Sequence, residues 1–215
     1  MSLIDISPPF RSGMPGWPGD TPFMLERTWS IGPGCPVNVS RITLSSHVGA
    51  HADAPLHFAA DGAPIDRLPL DAFVGPCRVV DARSAGSVID EADVLPFLPL
   101  GTERVLIRQY ERSPGSWDPA LKGLSVALVE ALAARGVRLI GVDAASVDPA
   151  DSKTLDAHQA IHAAGIGIIE GLVLHHVAPG EYELIALPLR IEGCDAAPLR
   201  AALRPLPRPA QDRSS

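Results

Sequence analysis

Apolar and polar residues alternate through Leu3–Ile6, the period of a strand with one buried face, and the pattern breaks at Pro8. Residues 8–22 carry Pro8, Pro9, Pro15, Pro18 and Pro22 among three glycines, and they predict a long loop with Trp17 at its centre. Long loops inside compact domains are uncommon and often functional. Phe23–Ser30 and Val37–Ser46 predict strands, the second through Val37 and Val39 and, after a slip of phase, Ile42 and Leu44. Val74–Asp81, Arg104–Gln109, Val137–Asp143, Gly167–Ile169 and Tyr182–Leu187 are further strands. Helices are expected at Asp90–Phe97 from an Asp cap, at Ser125–Arg135 between a Ser cap and Gly136, and at Thr154–Ala164 before Gly165. Many short strands with a few helices predict an α/β domain with a mixed, largely antiparallel sheet or barrel-like core. One domain is expected over residues 1–203, and the Pro- and Arg-rich residues 204–215 form a frayed tail.

Composition narrows this picture. The 215 residues include 19 glycines and 22 prolines, enough for many turns and against a helix bundle, but fewer than in a low-complexity chain. The formal charge of −7 argues against a nucleic-acid surface, which needs clustered positive charge. No run of 18 apolar residues and no basic-then-apolar start is present, so neither a membrane span nor a secretory signal is expected. Cys35, Cys77 and Cys194 stand far apart with no C-x-x-C, as in a reduced, cytoplasmic protein.

The 7 histidines are unevenly placed. His47, Gly49, His51, Asp53, Pro55 and His57 occupy alternate positions, so an extended chain puts His47, His51 and Asp53 on one face, each two-residue step spanning about 7 Å. Val48, Ala50, Ala52, Ala54 and Leu56 make the other face apolar. Pro55 lacks an N–H, so regular pairing stops near it and His57 falls on the loop beyond. Imidazoles and a carboxylate together are the usual ligands of zinc and similar divalent ions. The bland alternative, a surface strand that happens to be His-rich, leaves the shared face and its apolar opposite unexplained.

This H-x-G-x-H-x-D-x-P-x-H stretch resembles the signature of the cyclase-like metal-dependent hydrolases, and within them the arylformamidase branch. The likeness runs from Leu3–Ser7 and Pro15–Asp20 through Asp151–Lys153, Ala157–His158, Gly165–Ile166 and Glu170–Leu172 to Leu187–Leu189 and Pro198–Ala201. It implies a swivelling β/β/α fold, a homodimer and hydrolysis of N-formyl-L-kynurenine to L-kynurenine and formate in tryptophan breakdown. It implies two divalent ions per subunit, Zn²⁺ or else Mn²⁺ or a similar ion. His47, His51, Asp53 and Glu170 would hold the first, and Asp53, His158 and Glu170 the second. His57 would be the general acid/base, and Trp17 would face a small-molecule substrate. Ala50 and Gly171 stand where the family often has Thr and Asn.

Other residues have plainer readings. Spacing alone allows either His158 or His162, one helical turn apart, to be a ligand; the resemblance selects His158 and leaves His162 as a semi-buried helix residue. His175 and His176 read as structural or surface residues, and Asp143 and Asp148 as turn caps with a supporting role in reserve. No G-x-S-x-G is present, which removes the serine route to amide cleavage. Two other functions fit the same motif: cleavage of a different cyclic or aryl amide such as isatin, and metal binding without catalysis.

Overall fold

The computed structural model describes residues 2–206. Its strands begin with β1 (Ile4–Asp5), β2 (Met24–Trp29), β3 (Val39–Thr43), β4 (His51–Asp53), β5 (Val74–Asp81), β6 (Val88–Ile89) and β7 (Arg104–Arg108). They continue with β8 (Gly123–Leu124), β9 (Leu139–Val142), β10 (Gly167–Glu170), β11 (Gly180–Ile185), β12 (Ala196–Pro198) and β13 (Ala202–Pro205). The helices are α1 (Glu91–Val94), α2 (Val126–Ala134) and α3 (Asp156–Ala163).

Nine strands form one sheet in the order β1-β13-β11-β5-β7-β9-β10-β4-β12. The central pairings β5·β7, β7·β9 and β9·β10 are parallel and the rest antiparallel, so the sheet is mixed and largely antiparallel, as expected. It curls into a half-barrel, with β1 and β12 each paired on one side only.

The parallel strands are buried on both faces, which is why they read as nearly continuous apolar runs. Val79, Leu106, Leu139 and Ile169 face one core with Ile6, Ala52 and Leu184. Their neighbours Val80, Val105, Ile107, Ile140 and Ile168 face the other, which Leu128, Val129 and Leu132 of α2 and Ile161 of α3 cover. The period of two along each strand therefore divides one run between two cores. α2 starts where Ser125 accepts a hydrogen bond from the Leu128 amide at 3.0 Å, and it stops at Gly136, whose φ is +82°. α1 has a reciprocal cap between Asp90 and Asp93, and it is shorter than expected because residues 95–97 tighten into a 3₁₀ turn.

Some expectations change. The helix expected from Thr154 begins at Asp156, because Leu155 is left-handed at φ 52°. Among the described residues β2 and β3 pair only with each other, and every residue in them is exposed, so their alternation faces solvent on both sides. β12 and β13 were not expected, since Ala and Pro are weak strand formers. Pairing makes them: β12 sits at the sheet edge, where Pro198 is tolerated, and β13 lies between β1 and β11. Arg204, assigned to the tail, lies in β13 with its guanidinium 2.6 Å from Glu183. Pro205 ends the same strand, and residues 207–215 of the expected tail lie outside the described residues.

Candidate metal centre

His51 and Asp53 leave β4 on the same side, and Ala52 between them packs into the core. Antiparallel pairing places Glu170, the last residue of β10, directly opposite His51. His158 comes from the first turns of α3. His51, Asp53, His158 and Glu170 are each no more than 3% exposed. His47 reaches the same point by another route than the extended chain expected from the sequence. Ser46–Ala50 form turns and bends, and β4 starts only at His51. Gly49 sits at φ +67°, where an added Cβ would lie 2.5 Å from the Phe10 ring. Gly171 is similarly confined: at φ +67°, a Cβ there would overlap the Gly49 carbonyl.

The structure brings these residues together as two overlapping sets of donors. Ligand atoms of His47, His51 and Asp53 lie within 4.8 Å of one another, as do those of Asp53, His158 and Glu170. Asp53 belongs to both sets. His51 Nε2 also lies 3.5 Å from Glu170, which ties the sets further.

In each imidazole the nitrogen facing away from the cluster is engaged. His51 Nδ1 donates to the Gly49 carbonyl at 2.9 Å, His158 Nδ1 to Asp148 at 2.6 Å, and His47 Nε2 to Asp195 at 2.9 Å. Such outer partners fix the ring orientation and leave the inner nitrogen to bind. Asp148 also accepts the backbone amides of Ala157 and His158. It therefore caps α3 in place of Leu155 and holds the imidazole at the same time, so both roles weighed from the sequence meet in one residue. Glu170 accepts from the Val147 amide at 2.8 Å.

The inner atoms fit a cation. His51 Nε2 and Asp53 Oδ1 are buried 3.3 Å apart, yet neither has a hydrogen-bond partner of acceptable geometry. Buried polar atoms without partners are costly, and a divalent ion between such donors removes that cost. Without an ion, protons do the same work. Burial opposes charge on His51, but Asp53 and Glu170 bring its pKa up to about 10. Burial likewise opposes charge on His158, but Asp148 and Asp53 bring it up to about 10. Burial alone would raise Asp53, yet the neighbouring imidazoles of His158, His47 and His51 hold it well below the usual carboxylate range.

His57 follows Pro55 and Leu56 in a 3₁₀ turn after β4, with its ring 4.0 Å from that of His47, centroid to centroid. Burial pushes its pKa down, which favours the neutral imidazole. It lines a cleft of about 430 Å³ whose walls include Met14, Pro15, Trp17 and Leu172. Trp17, 42% exposed, stands on a turn closed by the Asp20 amide donating to the Trp17 carbonyl, and it meets Trp117 edge-on at 4.6 Å.

The other candidates lie elsewhere. His162 is exposed, edge-on to Phe58; His175 contacts Ser113, and His176 meets the Asp5 carbonyl. Asp143 accepts the Gln109 amide at 2.7 Å in the cleft wall, where burial raises its pKa to about 7. Burial pushes the Cys77 thiol up to about 12, so it supplies no nucleophile. Asp195 was missed from the sequence, where nothing local ties it to His47.

Residues 4–149 match the family model "Putative cyclase". A kynurenine formamidase of Delftia acidovorans is 53% identical over 204 residues, covering 95% of this chain and 98% of its own. A solved structure described as a potential metal-dependent hydrolase with cyclase activity is 30% identical, with a TM-score of 0.81 over 94% of this chain and 96% of its own. Isatin hydrolase A from Labrenzia aggregata, bound to benzyl benzoate, shares the fold at 22% identity and a TM-score of 0.81, covering 94% of this chain and 93% of its own.

Proposed function

The chain belongs to the cyclase family, and from that premise we propose that it hydrolyses the formamide of N-formyl-L-kynurenine to L-kynurenine and formate. The observation that carries this reading is the donor cluster on the cleft floor, with its outer nitrogens fixed and His51 Nε2 and Asp53 Oδ1 left unpartnered.

In this proposal His47, His51, Asp53 and Glu170 hold one divalent ion, and Asp53, His158 and Glu170 a second, zinc being the first choice and Mn²⁺ the next. Bound there, such ions supply a Lewis acid for the formyl carbonyl and lower the pKa of water from 15.7 to about 7. The chain's own residues do the rest. Asp53 and Glu170 reach both sets of donors with their two oxygens. Trp17 stacks on the aryl ring and holds the formamide over the floor. His57, neutral near pH 7, takes a proton from the attacking water and returns it to the departing aniline nitrogen, because an anilide anion leaves poorly. Water and formamide then become formate and free aryl amine, with no atom left over.

The β2–β3 hairpin supports a homodimer. A two-stranded ribbon is marginal alone, and Met24, Leu25, Trp29, Ile31 and Ile42 are all more than half exposed on or beside it. A second copy of the chain is the occupant we propose, read out as a dimer mass in solution. No helix among the described residues is long and apolar enough to cross a membrane. The three unpaired cysteines support work in a reducing cytoplasm.

The test is absorbance of free kynurenine after N-formyl-L-kynurenine is added to zinc-loaded protein, with isatin in parallel. Turnover that disappears with a chelator supports the proposal. No turnover sinks it, and faster turnover of isatin moves the substrate to a cyclic amide.

A further inference from the structure

We propose that Asp195 is a positioning residue shared by two histidines with different tasks, fixing His47 as a ligand and His57 as the proton carrier. This rests on the function proposed above. Asp195 precedes β12, and its position is set by the sheet. Its carbonyl accepts the Ala54 amide at 2.9 Å, and the next residue, Ala196, pairs with Asp53. Its carboxylate therefore hangs over the end of β4. Ser46 Oγ donates to Oδ1 at 3.1 Å, which sets the rotamer and leaves Oδ2 for the imidazoles. Oδ2 lies 2.9 Å from His47 Nε2 and 3.5 Å from His57 Nδ1.

Each contact has a consequence for the far side of the ring. A proton on His47 Nε2, shared with Asp195, leaves Nδ1 as the bare nitrogen, and Nδ1 lies 3.1 Å from Asp53. A proton on His57 Nδ1 leaves Nε2 bare, the nitrogen that can exchange a proton in the cleft. No other carboxylate among the described residues lies within 4.0 Å of a His57 nitrogen, so no other acid fixes that tautomer. One oxygen therefore selects the tautomer of two rings whose centroids lie 4.0 Å apart at a tilt of 41°. Asp148 is the natural comparison. It makes the same kind of contact to His158 but touches no second imidazole.

The experiment compares Asp195→Ala with Asp148→Ala, His57→Ala and the His57→Ala/Asp195→Ala double variant. Zinc affinity is read by competition with a chromophoric chelator, and kcat and KM are read at saturating zinc. Imidazole tautomers in the zinc-free protein are read by long-range ¹⁵N–¹H NMR. Asp195→Ala is expected to weaken zinc binding by about 10–100-fold and to lower kcat by a similar factor with KM little changed. Asp148→Ala should lose zinc affinity while keeping kcat once zinc is saturating. The double variant should be no slower than His57→Ala, and the His57 signals should lose the Nδ1–H form in Asp195→Ala. Unchanged zinc affinity and kcat in Asp195→Ala would overturn the proposal. So would rate losses that multiply in the double variant, or a bound-zinc count that falls by one, which would make Asp195 a ligand. The zinc and NMR readings need no substrate, so a wild-type protein inert towards N-formyl-L-kynurenine defeats the functional reading and still leaves Asp195 decided.

Discussion

Asp53, His158 and Glu170 on the cleft floor are each 3% exposed and sit on a paired strand or a capped helix. Across the cleft, Trp17 is 42% exposed on a loop of prolines and glycines, and every residue of the hairpin strands that follow is exposed. The 17–57 stretch thus runs from an open rim to one part of the floor, which His158 and Glu170 complete from the second half of the chain. The floor gains its geometry from the core: β4 can place His51 and Asp53 only because β10 and β12 hold it from both sides. The rim touches the packed body at few points, Trp17 against Trp117 among them, so changes there should reach substrate binding more than the fold. In the proposed function the floor carries the chemistry and the rim the recognition.

The sharpest way to break this contrast is Asp53→Ala. Both donor sets lose their shared member, so bound metal and turnover should fall together to background by metal analysis and kynurenine absorbance. The metal-free protein should also lose about 3–5 kcal/mol in denaturant unfolding, because buried imidazolium groups lose their counter-charge. Metal retained at the wild-type level would show that the floor is not one unit. His57→Ala comes next: at the border of floor and rim, it should lower kcat by about 10²–10⁴-fold while metal content stays constant.

The pH response separates the regions further. His51 and His158 have folded pKa values raised to about 10 in the metal-free protein. A raised pKa gives stability that is full below the unfolded value near 6.5 and is lost as pH climbs through the folded one. Asp53 has the opposite sign, and its contribution disappears as pH falls below the usual carboxylate range. The melting temperature of the metal-free protein should therefore drop between pH 7 and pH 10, and zinc should remove most of that slope. Zinc binding near pH 7 should also release protons, measurable by calorimetry in buffers of different ionisation enthalpy. An equal slope with and without zinc would place the titration outside the cluster. The smallest effect belongs to the rim: Trp17→Ala should raise KM by about 2–10-fold, as expected for losing one aromatic contact, with the melting temperature unmoved.

Much of this contrast is legible in the chain. Ser125 and Gly136 mark α2 because caps act within a few residues, and Val74–Asp81 is read to its ends because it is a long strand. The alternating His47–Asp53 stretch identifies the donor types, and the family resemblance adds His158 and Glu170. The path is misread at His47, where the left-handed Gly49 replaces the extended strand with a turn. β12 and β13 leave no trace because Ala and Pro follow the partner strands rather than any preference of their own.

The sequence by itself determined the donor chemistry, the ends of α2 and the loop that carries Trp17, since each depends on residue type and on neighbours a few positions away. Only the tertiary structure decided that Asp195 meets His47 across 148 positions and that Asp148 both caps α3 and holds His158. It also decided that both faces of the hairpin stay open. Those outcomes depend on strand pairing and burial, which bring distant residues together through packing that no local pattern encodes.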